Sequence, residues 1–82
     1  MTREEIMAEL KQILSAVNGI DVSDIHCDEE TNLLTGLGLN SIGMLYMVIS
    51  IENKFGFRFE DLNMDEMDTV GKVIDRIEQV KG

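Results

Sequence analysis

The run Gly36-Leu37-Gly38-Leu39-Asn40-Ser41-Ile42-Gly43-Met44 sets one hydroxyl, Ser41, among glycines and leucines where an apolar helical pattern begins. Three roles compete for it. A nucleophilic serine at a strand-to-helix elbow follows G-x-S-x-G. Here Gly43 stands two residues after Ser41, but the position two before is Leu39, and Gly38 is three away. The base would have to be His26, the only histidine, and 82 residues offer little cleft to hold a substrate. No residue is therefore read as catalytic. Ser41 can instead cap the helix, as Asn40 can, because both residue types favour that position. Neither completes a capping box, since Gly43 and Met44 stand three residues on. The third role is to carry a group: a phosphodiester at a helix N-terminus meets unpaired amides and the positive end of the dipole. Flanking glycine and a flexible loop would admit a modifying enzyme. A carrier role accounts for more of the surrounding sequence than a cap alone.

Metal and redox chemistry are poorly supported. Asp61, Asn63 and Asp65 match the first three ligand positions of a calcium loop, but Glu66 and Lys72 occupy the positions that need glycine and a bidentate glutamate. A second candidate starting at Asp28 has Leu33 where the glycine belongs. His26-Cys27 is too small a set for structural zinc. Cys27 is the only cysteine, so no internal disulfide forms, and its acidic neighbours work against a depressed thiol pKa. No metal site is expected.

The elements that position Ser41 follow from periodicity. Thr2 and Glu5 fit a capping box opening a helix from Arg3 to about Val17. Its stripe is Ile6, Leu10, Ile13, Leu14 and Val17, and Asn18-Gly19 stops it. From Ile20 to Asn40 no period is sustained, an unusual length for a loop in a small domain. Its first half, residues 21–32, is acidic and predicted to be solvated, while Leu33, Leu34, Leu37 and Leu39 can anchor its second half. A second helix runs from Asn40 or Ser41 to Phe55, with Gly56 as its stop. A short helical turn is predicted near Glu60 to Asn63. Thr69 then caps a last helix whose stripe is Val70, Val73, Ile74 and Ile77.

The middle helix is apolar on two sides. Met44, Met47, Val48, Ile51 and Phe55 share one face, and Ile42, Leu45, Tyr46 and Ile49 share roughly the opposite one. A three-helix domain can hardly enclose one of its own helices, so the second face is predicted to stay exposed as a docking surface beginning beside Ser41.

Composition narrows the partners. Sixteen acidic against seven basic residues give a formal charge of −9. That excludes nucleic acid and anionic membrane surfaces, both of which need Lys and Arg. It suits a monomer that meets basic surfaces on larger partners. No run approaches a membrane span and no signal peptide is visible, so a cytoplasmic protein is expected. Residues 1–82 are read as one all-α domain, because chains this short bury only about 60% of their unfolded surface and hold one core.

Taken together, these residues resemble the acyl carrier proteins and the related peptidyl and aminoacyl carriers. In that family glycine, a variable residue, aspartate, serine and leucine or isoleucine open the second helix. The matching run here is Gly38-Leu39-Asn40-Ser41-Ile42. Leu33-Leu34, Lys54-Phe55-Gly56 and Thr69-Val70 match further, and the resemblance spans Glu4 to Gln79. It implies a small four-helix bundle with three main helices, one short helix and a long first loop. It implies that a phosphopantetheinyl transferase moves 4′-phosphopantetheine from coenzyme A onto Ser41, using magnesium, with Gly38 and Asn40 as flanking motif residues. The arm's thiol would hold an acyl or aminoacyl group as a thioester for loading and processing enzymes, and the carrier is not itself an enzyme. Two departures stand out. Asn40 replaces the usual aspartate, and the second helix has no carboxylate before Glu52. The second departure points to a dedicated pathway (polyketide, nonribosomal peptide or modified lipid) rather than general fatty-acid synthesis. The alternative is an adaptor of the same fold that binds partner enzymes through Ile42, Leu45, Tyr46 and Ile49 without being modified.

Overall fold

The computed structural model describes residues 1–59 and 64–81. Helix α1 spans Arg3–Asn18, α2 spans Ser41–Phe55 and α3 spans Val70–Lys81, with 3-10 turns at Val22–Asp24 and Met64–Met67. The one extended pairing among the described residues is an isolated antiparallel bridge between Asn32 and Thr69. The fold is all-α. The short helical turn predicted at 60–63 lies outside the described residues, and the 3-10 turn at Met64–Met67 follows directly after it.

Local signals set the helix ends. The Thr2 hydroxyl accepts from the Glu5 amide at 3.1 Å while the Glu5 carboxylate accepts from the Thr2 amide at 2.9 Å. These bonds hold the Glu5 carboxyl below its ordinary value. Gly19 and Gly56 end α1 and α2 at φ 67° and 72°. A left-handed residue is cheap only for glycine, which has no Cβ to clash. Ile6, Leu10, Ile13 and Leu14 of α1, the inner face of α2, and Val70, Val73, Ile74 and Ile77 of α3 meet in one core.

The long loop is ordered because it supplies what α3 lacks. The first amides of a helix have no partner within it. Here the Val70 amide donates to the Thr31 carbonyl at 3.1 Å, and the Gly71 amide to the Glu29 carbonyl at 2.8 Å. The Leu33 amide donates back to the Asp68 carbonyl at 2.8 Å. This approach requires glycine at 71, where a Cβ would lie 2.8 Å from the Glu29 carbonyl oxygen. Arg3 fastens the same region from α1. Its guanidinium pairs with Glu29 and Glu78, and with Asp75 at 2.7 Å. Hydrogen bonding to Arg3 holds the Glu29 carboxyl below its ordinary value and raises the Arg3 guanidinium above its own.

One expectation needs correction. The first half of the loop is not simply solvated, because Ile25 is a buried core residue and Cys27 packs partly against the core. Asp21 accepts from the Ser23 amide at 2.9 Å and starts the Val22–Asp24 turn, which delivers Ile25 inward. Among the described residues, no helix is long and apolar enough to cross a membrane.

Candidate functional site

The chain is set up for Ser41 by its own turns. The Asn32 side-chain oxygen accepts from the amides of Leu34 and Thr35 at 2.9 and 3.0 Å, and its carbonyl accepts from the Gly36 amide at 2.8 Å. The Asn18 side-chain amide, at the end of α1, donates to the Leu37 carbonyl at 3.1 Å. Gly38 then turns the chain at φ 71°. Leu39 is buried, and its amide bonds the Leu33 carbonyl at 3.0 Å. The segment before α2 is thus anchored on both sides, although Gly36, Gly38, Asn40 and Ser41 themselves are exposed.

Asn40, not Ser41, is the cap. Its side-chain oxygen accepts from the Gly43 amide at 2.8 Å, and its carbonyl accepts from the Met44 amide at 2.8 Å. Ser41 is consequently the first residue of α2. Among the described residues nothing hydrogen-bonds its hydroxyl, and the amides of Ser41 and Ile42 have no acceptor. The capping role that the sequence left open between the two neighbours therefore belongs to Asn40. An uncommitted, exposed hydroxyl stands beside two unpaired donors at the positive end of a helix.

The outer face of α2 is as exposed as its pattern predicts. Ile42 is 71% exposed, Leu45 51%, Tyr46 65% and Ile49 47%. No charged side chain occurs between Ser41 and Ile51. Glu52, the first carboxylate of the helix, is half-buried and accepts from the Phe59 amide at 2.9 Å, so it helps to hold the segment after α2. Lys54 pairs with Glu9 at 2.7 Å.

Sequence reasoning missed a cleft of about 440 Å³ between the end of α1 and the start of α2. Ala16, Val17, Asn40, Ile42, Gly43 and Tyr46 line it. Gly43 keeps it open, since a Cβ there would come within 3.1 Å of Leu39 Cδ2 and 3.6 Å of Val17 Cγ1. Glycine inside a helix costs roughly 0.5–1 kcal/mol relative to alanine, and that cost was the one available signal. A second cleft, of about 500 Å³, lies at the other end of α2 against Ile49, Asn53, Gly56 and Phe57.

His26 and Cys27 do not assemble a site. Burial pushes the Cys27 thiol above its ordinary value, opposite to what a reactive thiolate needs. Among the described residues, no group of three or more His, Cys, Asp or Glu side chains could hold a metal. The calcium-loop candidate that begins at Asp61 and Asn63 falls outside the described residues.

The amino-acid sequence is similar to known proteins along almost the whole chain. Residues 8–77 match the family described as a phosphopantetheine attachment site. The chain is 33% identical over 81 residues to an acyl carrier protein of Thermotoga maritima, covering 99% of this chain and 98% of that one. It is 36% identical over 78 residues to an acyl carrier protein of Coprothermobacter proteolyticus, covering 95% and 93%. It is also 30% identical over 81 residues to a meromycolate extension acyl carrier protein of Mycobacterium leprae, covering 99% and 69%.

Proposed function

The chain belongs to the acyl carrier protein family, and on that premise we propose that Ser41 is the residue that holds its prosthetic group. Acyl carrier proteins are carriers, not enzymes, and the group is a covalently attached 4′-phosphopantetheine. When bound, that group supplies a thiol on which an acyl chain is held as a thioester.

The observation that carries the assignment is the division of labour at the start of α2. Because Asn40 takes the Gly43 amide, the Ser41 hydroxyl is released from capping and stays exposed. The unpaired amides of Ser41 and Ile42 offer hydrogen bonds to a phosphodiester there, and the helix dipole favours its charge. The residues present therefore fit the group. In the loading reaction the Ser41 oxygen forms a bond to the pantetheine-bearing phosphorus of coenzyme A. The phosphoanhydride bond breaks, adenosine 3′,5′-bisphosphate leaves, and the hydroxyl proton passes to the transferase or solvent.

Acyl carrier proteins work with a phosphopantetheinyl transferase and with acyl-processing enzymes. On this chain we assign the docking surface to Ile42, Leu45, Tyr46 and Ile49, and read residues 1–82 as one carrier domain. The face is apolar and uncharged, which favours a dedicated pathway over general fatty-acid synthesis. Its contacts rest on buried area more than on ion pairs, so binding should respond weakly to salt. A partner affinity that falls steeply with added salt would contradict this.

The attachment is tested by incubating the protein with coenzyme A, magnesium and a broad-specificity phosphopantetheinyl transferase, then measuring intact mass. Wild type should gain one phosphopantetheine and Ser41→Ala none. Asn40→Asp should load faster with a transferase that serves fatty-acid carriers, because it restores the carboxylate found in the family motif. A modified Ser41→Ala protein would refute the assignment.

A further inference from the structure

We infer that the cleft at the end of α2 takes an acidic contact from a partner protein. A leucine-sized side chain of the partner enters between Ile49 and Phe57, and an aspartate or glutamate beside it pairs with Arg58. This extends the docking surface assigned above and rests on that reading. Ile49 belongs both to the exposed face of α2 and to the wall of this cleft, so the two surfaces are continuous. Glu52, Asn53, Gly56 and Arg58 complete the lining of a space of about 500 Å³.

The distribution of charge makes Arg58 an exception. Residues 31–51, which hold Ser41 and the assigned docking residues, contain no Asp, Glu, Lys, Arg or His. Beyond them, Lys54 is turned back to Glu9 on α1 at 2.7 Å, and Lys72 pairs with Asp68 at 2.9 Å. Arg3 is held by Glu29, Asp75 and Glu78. Arg58 is exposed and, among the described residues, has no ion pair. On a chain of net charge −9, an open guanidinium at the rim of a cleft attracts an acidic surface and repels a basic one.

The segment that carries Arg58 is fixed from behind. The Phe57 amide donates to the Glu52 carbonyl at 3.2 Å, and the Phe59 amide donates to the Glu52 carboxylate at 2.9 Å. The rings of Phe57 and Phe59 meet edge to face with centroids 4.9 Å apart, and both pack against the core. Arg58, between them, is left in solvent. Glu52 also lines the cleft, but its carboxylate is half-buried and bonded to the Phe59 amide, whereas Arg58 is free to fork onto a carboxylate.

The consequence is selectivity more than affinity. An exposed ion pair adds little to binding, but a partner that presents lysine or arginine at this place meets a like charge and is disfavoured. The negative charge of the whole molecule draws basic surfaces in, and Arg58 rejects those that carry their charge over the end of α2.

The test uses capped peptides Gly-Leu-X-Leu-Gly, with X glutamate, glutamine or lysine. They are titrated into isotopically labelled protein at physiological salt, where distant charges are screened, and followed by nuclear magnetic resonance. The glutamate peptide should shift the amides of Ile49, Asn53, Gly56 and Phe57 and the side chain of Arg58. It should bind about two- to five-fold more tightly than the glutamine peptide. Arg58→Glu, at an exposed position, should reverse the order so that the lysine peptide binds best. Lys11→Gln, which removes a cation on α1 outside the cleft, should keep the wild-type order. Equal binding of the peptides, a preference of wild type for lysine, or an unchanged order in Arg58→Glu overturns the acidic contact. If shifts then still map to Ile42, Leu45, Tyr46 and Ile49, the docking face stands without it. No shifts at either place overturn the contact and the docking face together. Shifts of the same amides on raising the protein concentration without peptide would give the cleft to a second copy of this chain and overturn the partner reading.

Discussion

Leu45→Ala and Ile51→Ala delete similar amounts of hydrocarbon from the same helix, so burial decides how differently they behave. Fully burying such a side chain is worth about 1.5–3 kcal/mol. Leu45 is 51% exposed, so about half of that, roughly 0.7–1.5 kcal/mol, is lost on truncation. The better helix propensity of alanine returns a few tenths, on the order of 0.2 kcal/mol, and no cavity forms because the site opens to solvent. The net cost should be about 1 kcal/mol or less. Ile51 is fully buried between α2 and the core. Its truncation adds a cavity term, and the total should reach about 2–5 kcal/mol. A chain of this length has roughly 4–12 kcal/mol of stability in all, so the second change removes a large share. In a domain this small each kcal/mol moves Tm by about 4–8 °C. Urea and thermal unfolding followed by circular dichroism would read both. Leu45→Ala should lower Tm by no more than about 8 °C and also weaken partner binding. Equal, large losses at the two positions would refute the reasoning, because Leu45 would then be packed in solution and the proposed docking face would not exist.

Three further outcomes follow from the same structure. Asn40→Ala should cost about 1 kcal/mol, within a range of roughly 0.5–2, whereas Ser41→Ala should stay within about 0.5 kcal/mol of wild type; chemical denaturation of both would settle which residue is the cap. Gly71→Ala should destabilise despite alanine's better helix propensity, because its Cβ would press on the Glu29 carbonyl oxygen at 2.8 Å; hydrogen exchange should show faster opening at the Val70 and Leu33 amides. Arg3→Gln should destabilise at neutral pH, by an amount that shrinks in acid. The Glu29 carboxyl is depressed in the folded state, so its contribution is present above its ordinary value of 4.5 and is lost as pH falls through the lower folded value. Unfolding midpoints of wild type and variant should therefore converge below about pH 4.5, and a gap that stays constant or widens in acid would contradict the ion pair.

What was readable in the sequence was what neighbours decide. Thr2 with Glu5, Gly19, Gly56 and Thr69 bound their helices through bonds that reach three or four residues, so pattern sufficed. The two faces of α2 were equally plain, since exposure there follows helical period. Three features depended on distant parts of the chain. Ile25 stands alone in an acidic stretch with no period, and only the turn begun by Asp21 carries it into the core. The ordered loop rests on carbonyls of Glu29 and Thr31 meeting amides of Gly71 and Val70 some forty residues away, and the one local hint was a glycine inside a helical pattern. The cleft beside Ser41 required the end of α1 to be placed against the start of α2. As for Ser41 itself, the sequence marked it but left its role shared with Asn40. The bond from the Gly43 amide to Asn40 assigned the cap and freed the hydroxyl.

The most direct test of the central claim is fragmentation mass spectrometry on protein taken from cells that also express a phosphopantetheinyl transferase. Trypsin would place all four serines, Ser15, Ser23, Ser41 and Ser50, in one peptide from Gln12 to Lys54, so backbone fragments must locate the modification within it. A single phosphopantetheine is expected on Ser41, with any acyl group on its thiol. A modification on another serine, or a peptide that stays unmodified when the transferase is active on other carriers, would contradict it.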